Sequence, residues 1–389
     1  MSEASSLAYL AVPPDGDLTS RTHPEPPHAY RTSFARDGAR VLHARAFRRL
    51  AGKTQVFTRA LGGLSSAGKT GTEKTGDHFR SRLTHTLEVA QIARTLATSL
   101  GLNVELTETL ALVHDIGHPP FGHAGEKALD HALKPFALSF DHNLHALRIV
   151  TWFEERYPAF RGLNLTLGVR EGIIKHSRDY SSSAHPELAE YFLDLRPPLE
   201  AQLIDLADEI AYLTADMEDG LDSGILEIAA VLESVPLFRE FYDAARTKFP
   251  NAAPRVLAGE ATRRMLNALV TDLLAEVRRR VEADGIATLD NIRRAADRLA
   301  AFSPAMEAER MTAKHFLYAN LYNSPGMEQT HAHATEVVEG LFAQFVANPD
   351  LLPEDHRTQI ATEGLARTVT DYIAGMTDSF IEQVWTRTH

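Results

Sequence analysis

Cysteine is absent from the 389 residues, which excludes disulfides and thiolate zinc sites and makes a cytoplasmic setting the expected one. Positive charge is outnumbered: 40 Lys and Arg against 52 Asp and Glu leave a formal net charge of −12. That argues against a general nucleic-acid binder, while a local basic groove stays open. No apolar run approaches the roughly 18 residues that a membrane span needs. The first residues show no basic stretch followed by an apolar core of the kind that exports a chain, so a soluble protein is expected. Strand-like alternation is scarce as well. What is present is 44% apolar content, enough for a large core in a chain long for one compact unit. A main domain with a C-terminal helical lobe follows as the expected layout.

Residues 1–29 are rich in Pro, Ser and small polar residues, including Pro13-Pro14 and Pro24-Glu25-Pro26-Pro27. They show no sustained period and read as a flexible or surface-laid arm. From Asp37 onward helical periodicity dominates, over 39–50, 82–100, 106–115, 125–133, 143–155, 165–176 and 199–218, then 225–232, 237–247, 261–283, 291–301, 305–321, 328–347 and 363–385. The expected fold is all-α without internal repeats, with a core over 30–225 and a C-terminal helical region over 226–389.

Gly63-Leu64-Ser65-Ser66-Ala67-Gly68-Lys69-Thr70 satisfies the P-loop spacing letter for letter. A phosphate-cradling loop needs a buried strand before it and a helix starting at its Lys-Thr. Here a turn-rich polar run, Gly71 to Asp77, follows instead, and no α/β alternation appears elsewhere. The stretch 61–77 reads as a flexible insertion that closes over a site or contacts another subunit, with Lys69 and Lys74 able to attract phosphate.

The chemistry concentrates in His114-Asp115-Ile116-Gly117-His118-Pro119-Pro120-Phe121-Gly122-His123-Ala124-Gly125-Glu126, where imidazoles and carboxylates crowd together before any Lys or Arg intervenes. An adjacent His-Asp pair offers one nitrogen and one anionic oxygen to a cation. It follows the apolar run Leu106 to Val113, and an unpaired charge at the end of a buried helix is costly. The competing reading is a helix cap in which the pair bond each other. Upstream, His85 lies near the apolar stripe of Leu83, Leu87 and Ala90. Downstream, Asp205, Asp208 and Glu209 sit inside an apolar helical segment from Leu203 to Tyr212, so at least one carboxylate is expected to point inward. His123 and Glu126 are three apart, on one helical face, where a carboxylate can orient and charge-stabilise an imidazole; an ordinary surface pair would look the same.

A His, then a His-Asp pair, then a distant Asp resembles the metal-binding signature of the HD phosphohydrolase superfamily. Within it, Phe47-Arg48-Arg49-Leu50, Lys53-Thr54-Gln55-Val56-Phe57, Arg82-Leu83-Thr84-His85, His114 to Glu126, and Ala207-Asp208-Glu209-Ile210-Ala211-Tyr212 resemble bacterial deoxyguanosinetriphosphate triphosphohydrolase and its dNTPase-like relatives. The resemblance runs in order from about residue 30 to about residue 325.

The resemblance implies an HD-domain helical phosphohydrolase fold whose additional C-terminal helices complete the substrate site. It implies His85, His114, Asp115 and Asp208 as ligands of a divalent metal, with Asp205 as the competitor for Asp208, and His123 with Glu126 as the acid–base pair. The mixed nitrogen–oxygen set suits Mn, Mg, Fe, Co, Ni or Zn without choosing among them. The implied substrate shell is Gln55, Arg82, His118, His142, Tyr212, Asp216, Lys314 and Tyr322, where Tyr212 is equally a half-buried packing aromatic. The implied reaction splits a dNTP, dGTP or several of them, into deoxynucleoside and tripolyphosphate by attack at the α-phosphorus. The alternatives are another nucleotide or nucleic-acid phosphoester as substrate, or a nucleotide-sensing regulator, against which the His123–Glu126 pair speaks. The family implies a homo-oligomer, hexamer or tetramer, and leaves room for an allosteric nucleotide. Two departures stand out: Asn323-Ser324-Pro325-Gly326 replaces the usual basic or His residues after Leu321-Tyr322, and His145 stands where relatives usually carry Gln.

Overall fold

The computed structural model describes residues 6–55 and 80–388; the 61–77 insertion, with its P-loop spacing, lies outside them. Among the described residues the regular structure is helical, with isolated β-bridges only. The helices are α1 (Ser33–Leu42), α2 (Arg45–Arg49), α3 (Arg82–Leu100), α4 (Val104–Val113), α5 (Gly122–Leu133), α6 (His142–Arg148), α7 (Leu167–Lys175), α8 (Leu199–Ser223) and α9 (Ile228–Ser234). They continue as α10 (Pro236–Lys248), α11 (Pro254–Ala283), α12 (Leu289–Arg293), α13 (Pro304–Leu317), α14 (Pro325–Ala347), α15 (Glu354–Arg357), α16 (Ile360–Glu363), α17 (Leu365–Ala374) and α18 (Asp378–Thr388). Among these residues no helix is long and apolar enough to cross a membrane.

Local chemistry sets the boundaries of the central helices. Ser81 caps α3 by accepting from the Thr84 amide, and Asn103 caps α4 by accepting from that of Leu106, each satisfying an orphan donor of a first turn. α3, α4 and α8 pack on one another, with α1 against α4 and α11 along α8. Val89, Ala93 and Leu96, Leu110 and Val113, and Ile204, Ala207 and Ile210 meet in one apolar cluster that extends from Leu7 to Met327. A second cluster joins Leu129 and Leu133 of α5 to Val338 and Leu341 of α14, Val369 and Ile373 of α17 and Ile381 of α18. The helix bearing His123 and Glu126 therefore shares its apolar face with the C-terminal lobe.

The described part of the N-terminal arm is anchored along the protein: Leu7, Leu10 and Val12 are buried, the Val12 amide donates to Glu200 Oε1 at 2.8 Å, and Arg21 meets Asp37 Oδ1 at 2.5 Å. Three helix expectations are corrected by long-range contacts. The helix expected over 39–50 breaks at His43-Ala44, where Arg156 Nη1 donates to the His43 carbonyl. The helix expected over 291–301 stops at Arg293, because the buried Gln202 Oε1 takes the amides of Leu299 and Ala300, 2.8 and 3.2 Å away. The helix expected over 363–385 divides between Ala374 and Asp378, where Arg49 and Lys53 take the Gly375 and Ala374 carbonyls, both at 2.9 Å.

Candidate active site

The site lies where α3, α4 and α8 converge, bordered by the turn that leads into α5. His85 comes from α3, His114 follows the last residue of α4 and Asp208 sits midway along α8. Their donor atoms all fall within 4.8 Å of one another. His85 Nε2 lies 2.6 Å from Asp208 Oδ1, and His114 Nε2 lies 3.8 Å from the same oxygen. The His114 Nδ1 donates to the Ala111 carbonyl at 2.7 Å, which leaves Nε2 buried without a hydrogen-bond partner. A buried, lone-pair-bearing imidazole nitrogen aimed at a carboxylate is what a divalent cation requires, and the set fits one. Burial opposes charge on both groups, yet the charges of Asp115 and Asp208 raise His114 to about 9, and the two neighbouring histidines hold Asp208 far below the usual carboxylate range.

Asp115 stands at the edge of this group, its Oδ1 3.9 Å from His114 Nε2. Its other oxygen accepts from Arg82 Nη1 at 2.7 Å, and His118 Nδ1 lies 2.8 Å from Oδ1. Asp205, the alternative to Asp208, lies outside the group. Burial and repulsion from Glu209 and Asp208 push its carboxyl up to about 7.

The second element of the site is a cluster of imidazoles around Glu126. His123 Nδ1 lies 3.1 Å from Glu126 Oε2, while His142 Nδ1 lies 2.7 Å from Oε1. The His118 and His142 rings stack with centroids 4.1 Å apart. Burial works against charge on Glu126, but the hydrogen bonds from His123 and His142 outweigh it and keep its carboxyl well below the usual range. The turn that holds this cluster is tight. A Cβ on Gly117 would come within 1.9 Å of the His142 carbonyl oxygen, and Gly122, at φ 56°, would put one 2.7 Å from the Arg82 guanidinium.

The expected substrate shell is split between two flanks. Arg82, His118 and His142 border the histidine-rich side, and both Gln55 Oε1 and Arg82 Nε are buried without partners. Tyr212, Asp216, Lys314 and Tyr322 gather on α8, α13 and the π turn Tyr318–Tyr322. Tyr322 Oη donates to Asp216 Oδ2, and burial pushes the Asp216 carboxyl up to about 7. Tyr212 Oη is buried without a partner. Lys314 Nζ is held by Glu209 Oε1 at 2.7 Å, a contact not foreseen from the sequence.

Comparison with known proteins adds an independent line. The HD domain family model matches residues 82–213, and a phosphohydrolase-associated domain model matches residues 300–387. The deoxyguanosinetriphosphate triphosphohydrolase-like protein of Bordetella pertussis is 44% identical over 380 residues, covering 97% of this chain and 94% of that protein. Proteins of the same description from Ralstonia nicotianae and Geobacter sulfurreducens are each 43% identical over 361 residues, covering 92% of this chain and 89% of their own. The chain belongs to the deoxyguanosinetriphosphate triphosphohydrolase-like family of HD-domain proteins.

The structure also brings into this HD site residues to which the sequence assigned no role. His176, at the end of α7, puts its ring 6.1 Å from that of His114; its Nδ1 lies 3.0 Å from the Ile173 carbonyl, and burial with the neighbouring His114 and His142 lowers it to about 3. It closes the helix expected over 165–176, and only its last-turn position hinted at an inward face. Lys53 and Asp378 reach the turn before α5 from distant parts of the chain, and no local pattern linked them to it.

Proposed function

We propose that this protein is a divalent-metal-dependent dNTP triphosphohydrolase, which splits dGTP or several dNTPs into deoxynucleoside and tripolyphosphate by water attack at the α-phosphorus. The observation that carries the reading is the adjacency of two chemically distinct groups, the His85–His114–Asp208 pocket and the His123–Glu126–His142 cluster. His85, His114, Asp115 and Asp208 would hold the ion, Mn, Mg, Fe, Co, Ni or Zn. A bound divalent ion supplies Lewis acidity and lowers the pKa of water.

The chain's own groups do the rest. Glu126, kept ionised, orients His123, so that a protonated His123 delivers a proton to the departing 5′ oxygen. His118 and His142, stacked beside it, face the α-phosphate. Gln55 and Arg82 border the sugar and phosphates, with Arg82 balancing Asp115. On the other flank Tyr212 packs against the sugar and excludes a 2′-hydroxyl, while Asp216 accepts from the 3′-hydroxyl and Tyr322 supports it. Lys314 meets the phosphate tail on leaving Glu209. A cytoplasmic homo-oligomer, hexamer or tetramer, with an allosteric nucleotide complements this reading, as does the dGTP-related description of its relatives.

The test is product analysis by chromatography, with the purified protein, each of the four dNTPs singly and mixed, and Mn or Mg. Deoxynucleoside and tripolyphosphate in equal amounts are expected. Pyrophosphate or monophosphate as product, or no turnover of any dNTP alone or mixed, would overturn the reading.

A further inference from the structure

The turn from Gly117 to Gly122 carries His118 at one end and launches α5, with His123 and Glu126, at the other. Two of its anchors come from residues far away in the chain. Lys53, only 4% exposed, donates from Nζ to the His118 carbonyl at 2.5 Å and to that of Ala374, the last residue of α17, at 2.9 Å. Asp378, the first residue of α18, accepts from the Phe121 amide at 3.0 Å through Oδ1 and from the Thr54 amide at 2.8 Å through Oδ2. Phe121 has φ 62°, a left-handed conformation that a bulky residue adopts only when its surroundings hold it there. The Lys53 carbonyl in turn accepts from the Arg82 amide at 3.0 Å, at the start of α3. The bonds accepted by the Asp378 carboxylate are charge-assisted, and Lys53 Nζ donates toward the negative end of the α17 dipole.

We propose that Lys53 and Asp378 are positioning residues that fasten this turn to the C-terminal lobe and thereby set His123 and Glu126 relative to the His85–His114–Asp208 pocket. The α5 side chains Leu129 and Leu133, packed in the apolar cluster of that lobe, complete the attachment. The segment matched by the phosphohydrolase-associated domain model thus serves the HD segment by fixing its acid–base geometry. The inference rests on His123 and Glu126 acting as proposed above.

The test uses the full-length, metal-loaded protein and Asp378→Asn, whose single side-chain oxygen cannot accept from both amides; Lys53→Met is the second variant. Asp378→Asn is expected to lower kcat about 10- to 100-fold, the usual cost of losing an outer positioning contact, while KM and bound metal stay as in the parent. Amide exchange is expected to quicken at residues 117–123 and to stay unchanged at 85–96 and 203–213. Unchanged kcat and exchange would overturn the proposal, as would a loss that extends to bound metal and to exchange in α3 and α8. Lys53→Met should reproduce the pattern; should it not fold, Asp378→Asn decides. If the parent protein releases no tripolyphosphate, the functional reading fails, and exchange at 117–123 alone decides the clamp.

Discussion

The pocket and the acid–base cluster lie side by side but are built on opposite plans. The pocket takes His85 from α3, Asp208 from α8 and His114 from just past the end of α4, residues separated by up to 123 positions, and the His85–Asp208 contact spans that whole distance. Its histidine side chains are 1% and 5% exposed. The cluster takes its central pair from one helical turn, and the His123 side chain is 72% exposed over a Glu126 that is only 16% exposed. A group that concentrates charge on one ion gains from exclusion of water, because low dielectric strengthens its electrostatics. A group that trades a proton with a leaving oxygen must meet the ligand from the open side, with its partner fixed beneath. The first plan depends on the core; the second depends on whatever holds one turn still.

The sharpest way to break that comparison is to remove one member from each side. Asp208→Ala should abolish hydrolysis and bound metal together, a loss of about a thousandfold or more from several kcal/mol of transition-state stabilisation. His123→Ala should lower kcat roughly 10²- to 10⁴-fold while metal content stays at the parent level. Atomic absorption on the same samples used for kinetics checks both. Metal lost from His123→Ala would merge the two plans into one.

A tenfold effect is expected on the flank formed by α8, α13 and the π turn. Asp216 carries a carboxyl raised to about 7 by burial, against the opposing bond from Tyr322. Below that pH it stays protonated; above it the anion is available to accept the substrate hydroxyl. KM for a dNTP should therefore fall as pH rises from 6 to 8. Asp216→Asn should flatten that dependence and raise KM at pH 8 by about tenfold, the worth of one hydrogen bond to a charged group. A steady-state pH series on both proteins decides it.

Periodicity and local spacing made much of this molecule legible. The helices α3 and α8 stand close to where apolar repeats put them, because capping at Ser81 and the left-handed Gly224 are local events. The composition of His114 to Glu126 announced its chemistry for the same reason. What remained illegible was set by partners far away in sequence. Gln202 ends α12 by capturing amides nearly a hundred residues on, and Arg49 and Lys53 split the last predicted helix. Glu209 holds Lys314 across 105 positions. The buried Gln202 and Lys53 found backbone partners that overrode helical propensity, Glu209 found a side-chain partner on another helix, and no window of sequence contains both members of any of these pairs.

The smallest effect separates the two acids that spacing alone left as rivals. Asp205 and Asp208 are three residues apart on α8, yet the first has a carboxyl pushed up to about 7 and the second is held far below the usual range by its histidines. A carboxyl raised on folding binds its proton more tightly in the native than in the unfolded state. Stability owed to that proton is present at low pH and is lost as pH rises from about 4 toward 7, since the unfolded chain releases it first. Asp205→Asn removes the penalty of ionising there. Its melting temperature should match the parent at pH 4 and exceed it at pH 8 by about 1 °C for each kcal/mol relieved, with bound metal unchanged. A variant that instead loses metal, or melts lower at pH 8, would make Asp205 a working member of the pocket and return the choice between the two acids to where the sequence left it.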